Sequence, residues 1–166
     1  KDTLIVNASR LENFITNKTS AIWIPNLLGN VPDWDIIREL ANRYNLFVLE
    51  DSADTLGSTL RGSPTGARAN MSITSFYGSH IINCAGNGGW LGVDDPDQMR
   101  KARLLRSWGR ASSIFSDITE SESLKNRLNV KIDGIAYDAK FIFEELGFQM
   151  EPSEIGAAYG LVQLSK

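Results

Sequence analysis

The chain is poor in the residues that cross-link a fold or hold a metal. A single cysteine, Cys84, excludes an internal disulfide framework and fits a reducing compartment. A single histidine, His80, beside that one cysteine and without paired ligand spacing, makes a poor metal site. Long hydrophobic runs are missing too. The longest, such as LIV and AIWIP, are far too short to span a bilayer. The opening KDTLIVNASRLE lacks the charged-then-apolar layout of a signal peptide. There is no excess of positive charge: 17 Lys and Arg against 20 Asp and Glu leave a net charge of −3, which argues against a nucleic-acid partner. Neither an internal repeat nor a low-complexity tract is present. These absences predict a cytoplasmic protein with no membrane and no nucleic-acid role.

What is present suits a packed domain. Of 166 residues, 42% are hydrophobic and 22% charged, enough for a core in one domain or a piece of a larger one. The chain opens and closes inside segments that read as structured, so a piece of something longer is the expectation. SRLENFITN places Leu11, Phe14 and Ile15 on a helical stripe, with Ser9 and Glu12 as a capping box. SAIWIP reads as a short buried strand. PDWDIIRELANRYN is the clearest helix, capped by Asp33, with Ile37, Leu40, Ala41 and Tyr44 along one face. LFVLED reads as an interior parallel strand. This alternation predicts an α/β layered fold with a mostly parallel sheet. SADTLGSTLRGSPTG is a loop or a hairpin, and MSITSFY and GGWLGV are further strands. DPDQMRKARLLRSWG is a helix with Asp95 as cap and Pro96 at its first position. Residues 111–129 read as a surface excursion with a short helix around Leu124–Leu128, and AYDAKFIFEELGF has no clear period. PSEIGAAYGLVQL is a closing helix capped by Ser153, whose Gly156, Ala157 and Gly160 admit a close neighbour.

Several residues could carry chemistry, and each has an ordinary reading beside the functional one. Asp51 ends a strand, where ligands of open α/β sheets bind; it also suits a helix cap or a surface acid. Ser75, near the end of MSITSFY, could hydrogen-bond a phosphate, although serine is common. His80 follows five residues later and can exchange a proton near neutrality, yet a lone loop histidine is commonly exposed and idle. The turn GNGG, Gly86 to Gly89, allows a tight bend or close approach to a ligand, but has neither Walker nor dinucleotide spacing. Arg100, Lys101, Arg103, Arg106 and Arg110 could meet an anion or form a solvated face. Cys84 reads as a small filler rather than a nucleophile.

Three stretches, LEDSADTLGSTLRGSPTG, SITSFYGSHIINCAGNGG and EPSEIGAAYGLVQL, in this order and spacing, resemble the vitamin-B6-dependent sugar-nucleotide aminotransferases of the DegT/StrS group. The resemblance implies a three-layer α/β/α fold, part of the large domain of a fold-type-I pyridoxal-phosphate-dependent transferase. It implies that Asp51 pairs with the pyridine nitrogen of the cofactor, that Asp54 helps hold its phenolic oxygen, and that Ser75 binds its phosphate. Asp54 stands where the aminotransferases commonly carry Gln or Glu. In GFQMEPSE, Gln149 replaces the usual asparagine that reaches a neighbouring subunit's phosphate. His80 stands where the aminotransferases carry the lysine of the internal Schiff base. Imidazole cannot form that adduct but can move protons.

This departure, with LLGN before the second helix, resembles the offshoot of 3-dehydratases that use pyridoxamine phosphate on nucleotide-linked 4-keto-6-deoxyhexoses in deoxysugar and lipopolysaccharide synthesis. WGRASSIFSD has no cysteine after its WGR, so an iron–sulfur cluster is not expected. The family implies a homodimer. It also implies that residues 1–166 form the central part of the cofactor-binding large domain, lacking an upstream Gly-Thr turn and a small C-terminal domain, and inactive by themselves. Two other readings stay open: a sugar-nucleotide aminotransferase with a lysine supplied from elsewhere, Lys101 or Lys140 being nearest, and a non-catalytic homologue that binds cofactor or sugar nucleotide.

Overall fold

The computed structural model describes residues 3–115 and 123–166. It divides into two compact units, one of residues 1–94 with 152–166 and the other of residues 95–151.

The first unit is built on a four-stranded sheet in the order β1–β2–β5–β6. β1 (Ala21–Pro25), β2 (Phe47–Asp51) and β5 (Met71–Ser75) are parallel, and β6 (Gly89–Val93) runs antiparallel to β5. β1 stops at Pro25, β2 at Asp51 and β5 at Ser75, while Asp94 and Asp95 follow the end of β6. The register shows which residues share a face. Trp23, Leu49, Met71 and Val93 form one rung, and Ile24, Glu50, Ser72 and Gly92 form the next on the opposite face.

Helix α1 (Trp34–Tyr44) covers that second face. Asp33 caps it, accepting the N–H groups of Asp35 and Ile36, and Asn45 ends it in the left-handed conformation. Trp34, Ile37, Leu40 and Ala41 of the helix pack on Ile22, Ile24 and Val48 with Leu46 and Ala8. Tyr44, expected on the same face, is instead half exposed and donates its hydroxyl to Glu12. β1 is buried on one side only, since Trp23 of its other face is 65% exposed.

Residues 8–14 differ from the sequence reading. They form a 3₁₀ helix, Ala8–Phe14, whose cap is Asn7 accepting the N–H of Ser9. The Ser9–Glu12 capping box does not form: Glu12 points to Arg43 and Tyr44. That long-range ion pair and the tight turn at Asn7 outweigh the local pattern.

The stretch after β2 is a hairpin, β3 (Thr59–Leu60) with β4 (Ser63–Pro64). Its two turn residues, Arg61 and Gly62, both have positive φ, 51° and 79°, as a twisted two-residue hairpin turn requires. From that turn Arg61 reaches back to Asp33 and Asp35. The Arg61 hydrogen bonds hold the Asp33 carboxyl at about 2; burial opposes them, and the N–H groups of Ile36 and Asp35 and the Arg61 charge lower it further. A lowered carboxyl pKa stabilises the fold above the unfolded value near 3.8, and that contribution is lost as pH falls through about 2. Asp33→Asn is therefore expected to flatten the acid limb of stability between pH 4 and 2, measured by urea unfolding at stepped pH. An unchanged limb would remove this pair from acid unfolding.

The closing helix spans Glu154–Leu164 and is capped by Ser153. Gly156 and Gly160 face Cys84: a Cβ on Gly156 would lie 2.7 Å from the Cys84 carbonyl oxygen, and one on Gly160 2.5 Å from its Sγ. Small residues here admit the loop, as the sequence predicts; Ala157 is exposed.

In the second unit, α2 (Pro96–Arg106) is capped by Asp95 and starts on Pro96. α3 (Leu124–Arg127) falls within the expected short helix, while residues 116–122 of that excursion lie outside the described residues. β7 (Val130–Ile132) and β8 (Ile135–Tyr137) form a hairpin over Asp133–Gly134, where the sequence analysis has no strand. Among the described residues no helix is long and apolar enough to cross a membrane.

Candidate active site

The two central strands end at the same side of the sheet, and the polar residues collect there. β2 ends on Asp51, which shares a rung with Pro25 and Ile73. Ser75 lies two residues beyond Ile73 on β5, so it projects from the same face as Asp51. Strand spacing and rise put their Cα atoms about 8 Å apart. Asp51 Oδ1 accepts the N–H of Ala53 at 3.1 Å, which turns the chain off the strand. Ser75 Oγ accepts the N–H of Tyr77 at 3.2 Å, leaving its own hydrogen to donate.

His80 enters from the loop between β5 and β6. That loop closes on itself: the N–H of Phe76 bonds the Gly88 carbonyl at 3.0 Å, and the N–H of Cys84 bonds the Phe76 carbonyl at 2.9 Å. Inside it the N–H of His80 bonds the Tyr77 carbonyl at 3.1 Å. The imidazole side chain is 20% exposed, and its Nδ1 lies 3.3 Å from Asp54 Oδ1. The other oxygen of Asp54, Oδ2, accepts the N–H of Leu28 at 3.0 Å. The Tyr77 ring meets the imidazole edge-on, with centroids 6.4 Å apart.

The structure thus brings His80 to Asp54, three residues past the tip of β2, and sets Asp51 and Ser75 on one face of the neighbouring strand ends. A carboxylate only accepts, so a hydrogen bond across this contact would require the imidazole proton on Nδ1 and would leave Nε2 as the proton-accepting nitrogen. Gln149 belongs to the second unit, where it is exposed and its backbone bridges Ser107. The basic helix does not form a free cationic face: Arg100 pairs with Glu144, Lys101 with Glu145 and Arg106 with Glu151. Arg110 lies over the rings of Trp108 and Phe143. Among the described residues no group of three or more His, Cys, Asp or Glu could hold a metal ion. A small pocket of about 150 Å³ beside the 52–58 turn is lined by Leu56, Thr65, Ser72, Thr74 and Trp90 among others, and by none of the five sequence-predicted site residues.

Two contributors to this constellation were missed in the sequence. Tyr77 stands three residues before His80 in the same loop, and that proximity was a usable signal. Leu28 acts through its backbone N–H, presented from a left-handed conformation at φ 53° and ψ 35°; no side-chain pattern announces it.

Residues 1–166 match the model of the DegT/DnrJ/EryC1/StrS aminotransferase family along their whole length. The chain belongs to this family. Members similar to it include the dTDP-4-dehydro-2,6-dideoxy-D-glucose 3-dehydratase of Saccharopolyspora spinosa, 32% identical over 95% of this chain and 34% of that protein. The GDP-perosamine synthase of Caulobacter vibrioides is 33% identical over 99% of this chain and 37% of its own. Among solved structures of the family, the E. coli GDP-4-keto-6-deoxy-D-mannose-3-dehydratase with bound hydrated PLP superimposes with a TM-score of 0.78 at 28% identity. It covers 99% of this chain and 40% of that one. The α/β architecture with its mostly parallel sheet is that of the fold-type-I transferases. This DegT/DnrJ/EryC1/StrS chain spans little more than a third of the length of the two relatives named first.

Proposed function

We propose that the chain is the central part of the large domain of a pyridoxamine-phosphate-dependent dehydratase that removes the C3 hydroxyl of a nucleotide-linked 4-keto-6-deoxyhexose. The observation that carries this reading is His80. It stands five residues after the strand-tip serine in a loop, residues 76–88, that contains no lysine, and it is braced by Asp54.

The residues suit the cofactor. Asp51 and Ser75 lie on one face about 8 Å apart, a separation that suits a substituted pyridine with its phosphate arm. Bound pyridoxamine phosphate supplies an amine for the sugar's keto group and an electron sink. Asp51 would hold the proton on the ring nitrogen and keep the ring cationic. Ser75 would donate its hydroxyl hydrogen to the phosphate. His80 Nε2 would accept a proton during the reaction and return one to the C3 hydroxyl as it leaves as water. Asp54, engaged by His80 and Leu28, steadies the imidazole as it changes charge; this role is proposed beside the contact to the phenolic oxygen. For Gln149 the proposal is a phosphate contact with a second subunit of a homodimer.

A transaminase relative supports the alternative of amino transfer: a dTDP-3-amino-3,4,6-trideoxy-alpha-D-glucose transaminase of Streptomyces venezuelae is 36% identical over 60% of the chain. The two readings differ in one measurable bond. The full reading frame containing the chain, supplied with pyridoxamine phosphate and a GDP- or dTDP-linked 4-keto-6-deoxyhexose, is expected to yield a product lighter by one water. Borohydride treatment after loading with pyridoxal phosphate is expected to leave no lysyl adduct. A reducible adduct with an aminated sugar product would replace the dehydratase by a transaminase. Binding without any product would leave a non-catalytic homologue.

A further inference from the structure

Beneath the strand tips lies a polar cluster that takes no part in the chemistry above. Asn26, Trp34, Glu50, Ser52 and Thr55 are all buried, Asn26 and Glu50 to 1% exposure and Thr55 to 0%. The Asn26 side chain is its hub. Its Oδ1 accepts the indole N–H of Trp34 at 2.8 Å. Because indole nitrogen only donates, this contact settles which end of the amide is oxygen. The Nδ2 end then faces Glu50 Oε1 at 2.7 Å, Ser52 Oγ at 3.0 Å and Thr55 Oγ1 at 3.0 Å. Ser52 Oγ donates in turn to Glu50 Oε1 at 2.8 Å.

The cluster joins two backbone segments that both bear on Asp54. One is the turn of residues 52–55. It is pinned by the N–H of Ser52 on the Ile73 carbonyl at 2.8 Å, the N–H of Thr55 on the Ser52 carbonyl at 3.1 Å, and Thr74 Oγ1 on the Ser52 carbonyl at 3.1 Å. The other is residues 26–28, anchored by the N–H of Asn26 on the Asp51 carbonyl at 2.8 Å and ending in the Leu28 N–H that grips Asp54 Oδ2. Asp54 is thus held from both sides, and both sides lead to the Asn26 amide.

We propose that Asn26 is a positioning residue: through its buried amide it fixes the two segments that aim Asp54, and through Asp54 it sets the orientation and tautomer of His80. The catalytic meaning of this inference rests on the dehydratase reading, while the coupling itself does not. A buried amide suits the task. It accepts one donor and shares its two N–H groups among three acceptor oxygens without bringing a charge to the cluster, and buried polar groups left unpaired are costly enough that the arrangement is specific.

The lone histidine makes the coupling directly readable. In the full 166-residue chain, labelled with ¹⁵N, the imidazole nitrogen resonances come from His80 alone. Long-range ¹H–¹⁵N spectra of the neutral imidazole are expected to show the Nδ1–H tautomer in excess for the parent chain, and a ratio shifted several-fold toward Nε2–H in Asp54→Asn. Asn26→Ala is expected to produce at least half of that shift. Thr55→Val, which keeps shape and removes one acceptor, is expected to move the ratio in the same direction by a smaller amount. A merely structural role would lower the melting temperature and leave the tautomer ratio of the folded chain unchanged. If Asn26→Ala does not fold, Thr55→Val alone decides. A parent-like ratio in whichever variants fold overturns the proposal, as does a parent chain without tautomer preference. Should the ratio shift as expected while the full reading frame fails to dehydrate its substrate, the dehydratase reading falls and the positioning role stands.

Discussion

Exchanging His80 for asparagine in the full reading frame is expected to cut dehydration by about 10²–10⁴-fold, the usual worth of a positioned acid–base group, while pyridoxamine phosphate binding stays within a few-fold of the parent. Asparagine approximates the imidazole's reach and can donate an N–H toward Asp54, so the contact 3.3 Å from Nδ1 has a substitute and the loop keeps its shape. What it lacks is a nitrogen that takes up and gives back a proton. The loss is therefore expected in kcat, with little change in the substrate concentration at half-maximal rate. Cofactor affinity depends on Asp51 and Ser75 in this reading, and neither is touched. Turnover within threefold of the parent would remove His80 from the reaction and leave the Asp54 contact a structural one.

Gly109→Ala is expected to cost the second unit on the order of 3–5 kcal/mol, a value reserved for substitutions that displace backbone. The residue sits at φ 80°, and an added Cβ would lie 1.9 Å from the Glu145 carbonyl oxygen. The clash has no easy relief. Its N–H is bonded to the Leu104 carbonyl at 2.7 Å and its own carbonyl to the N–H of Glu144 at 2.8 Å. On the opposing chain Gly147 is as tightly placed, its missing Cβ 2.3 Å from the Gly109 nitrogen. Gly134→Ala is the matched control, with nearly the same φ of 81° and nothing within 4 Å. It should lose only the conformational cost of about 1 kcal/mol. Hydrogen exchange of amides in residues 95–151, followed in urea, separates the two. Equal losses would mean that the 107–110 and 143–150 segments do not cross as closely as described.

Where short-range chemistry dictates a feature, the residues announced it. Asp33, Asp95 and Ser153 cap the helices they precede because a side-chain oxygen needs only an N–H two or three residues on. Pro96 starts its helix for an equally local reason. The four main strands were legible as short, β-prone runs bounded by turn-forming or acidic residues. The Asp133–Gly134 hairpin is equally local, since an Asp-Gly pair supplies the two positive-φ residues its turn needs. The 3₁₀ turn at residues 8–14 is different, since Glu12 answers to Arg43 and Tyr44, which lie on another element.

The candidate site divides along the same line. Its residue types and their offsets along the chain, including a histidine where a lysine would stand, are properties of the chain as a string. They sufficed to place it in its family. That Asp54 meets His80 across 26 positions, that Leu28 bends to offer its N–H, and that Asn26 gathers Trp34, Glu50, Ser52 and Thr55 are consequences of sheet order and packing. A hydrogen bond to a neighbour in sequence is available before folding and leaves its mark locally. One between distant segments exists only after the core has closed around it, so the fold alone selects which of many possible partners each polar group will find.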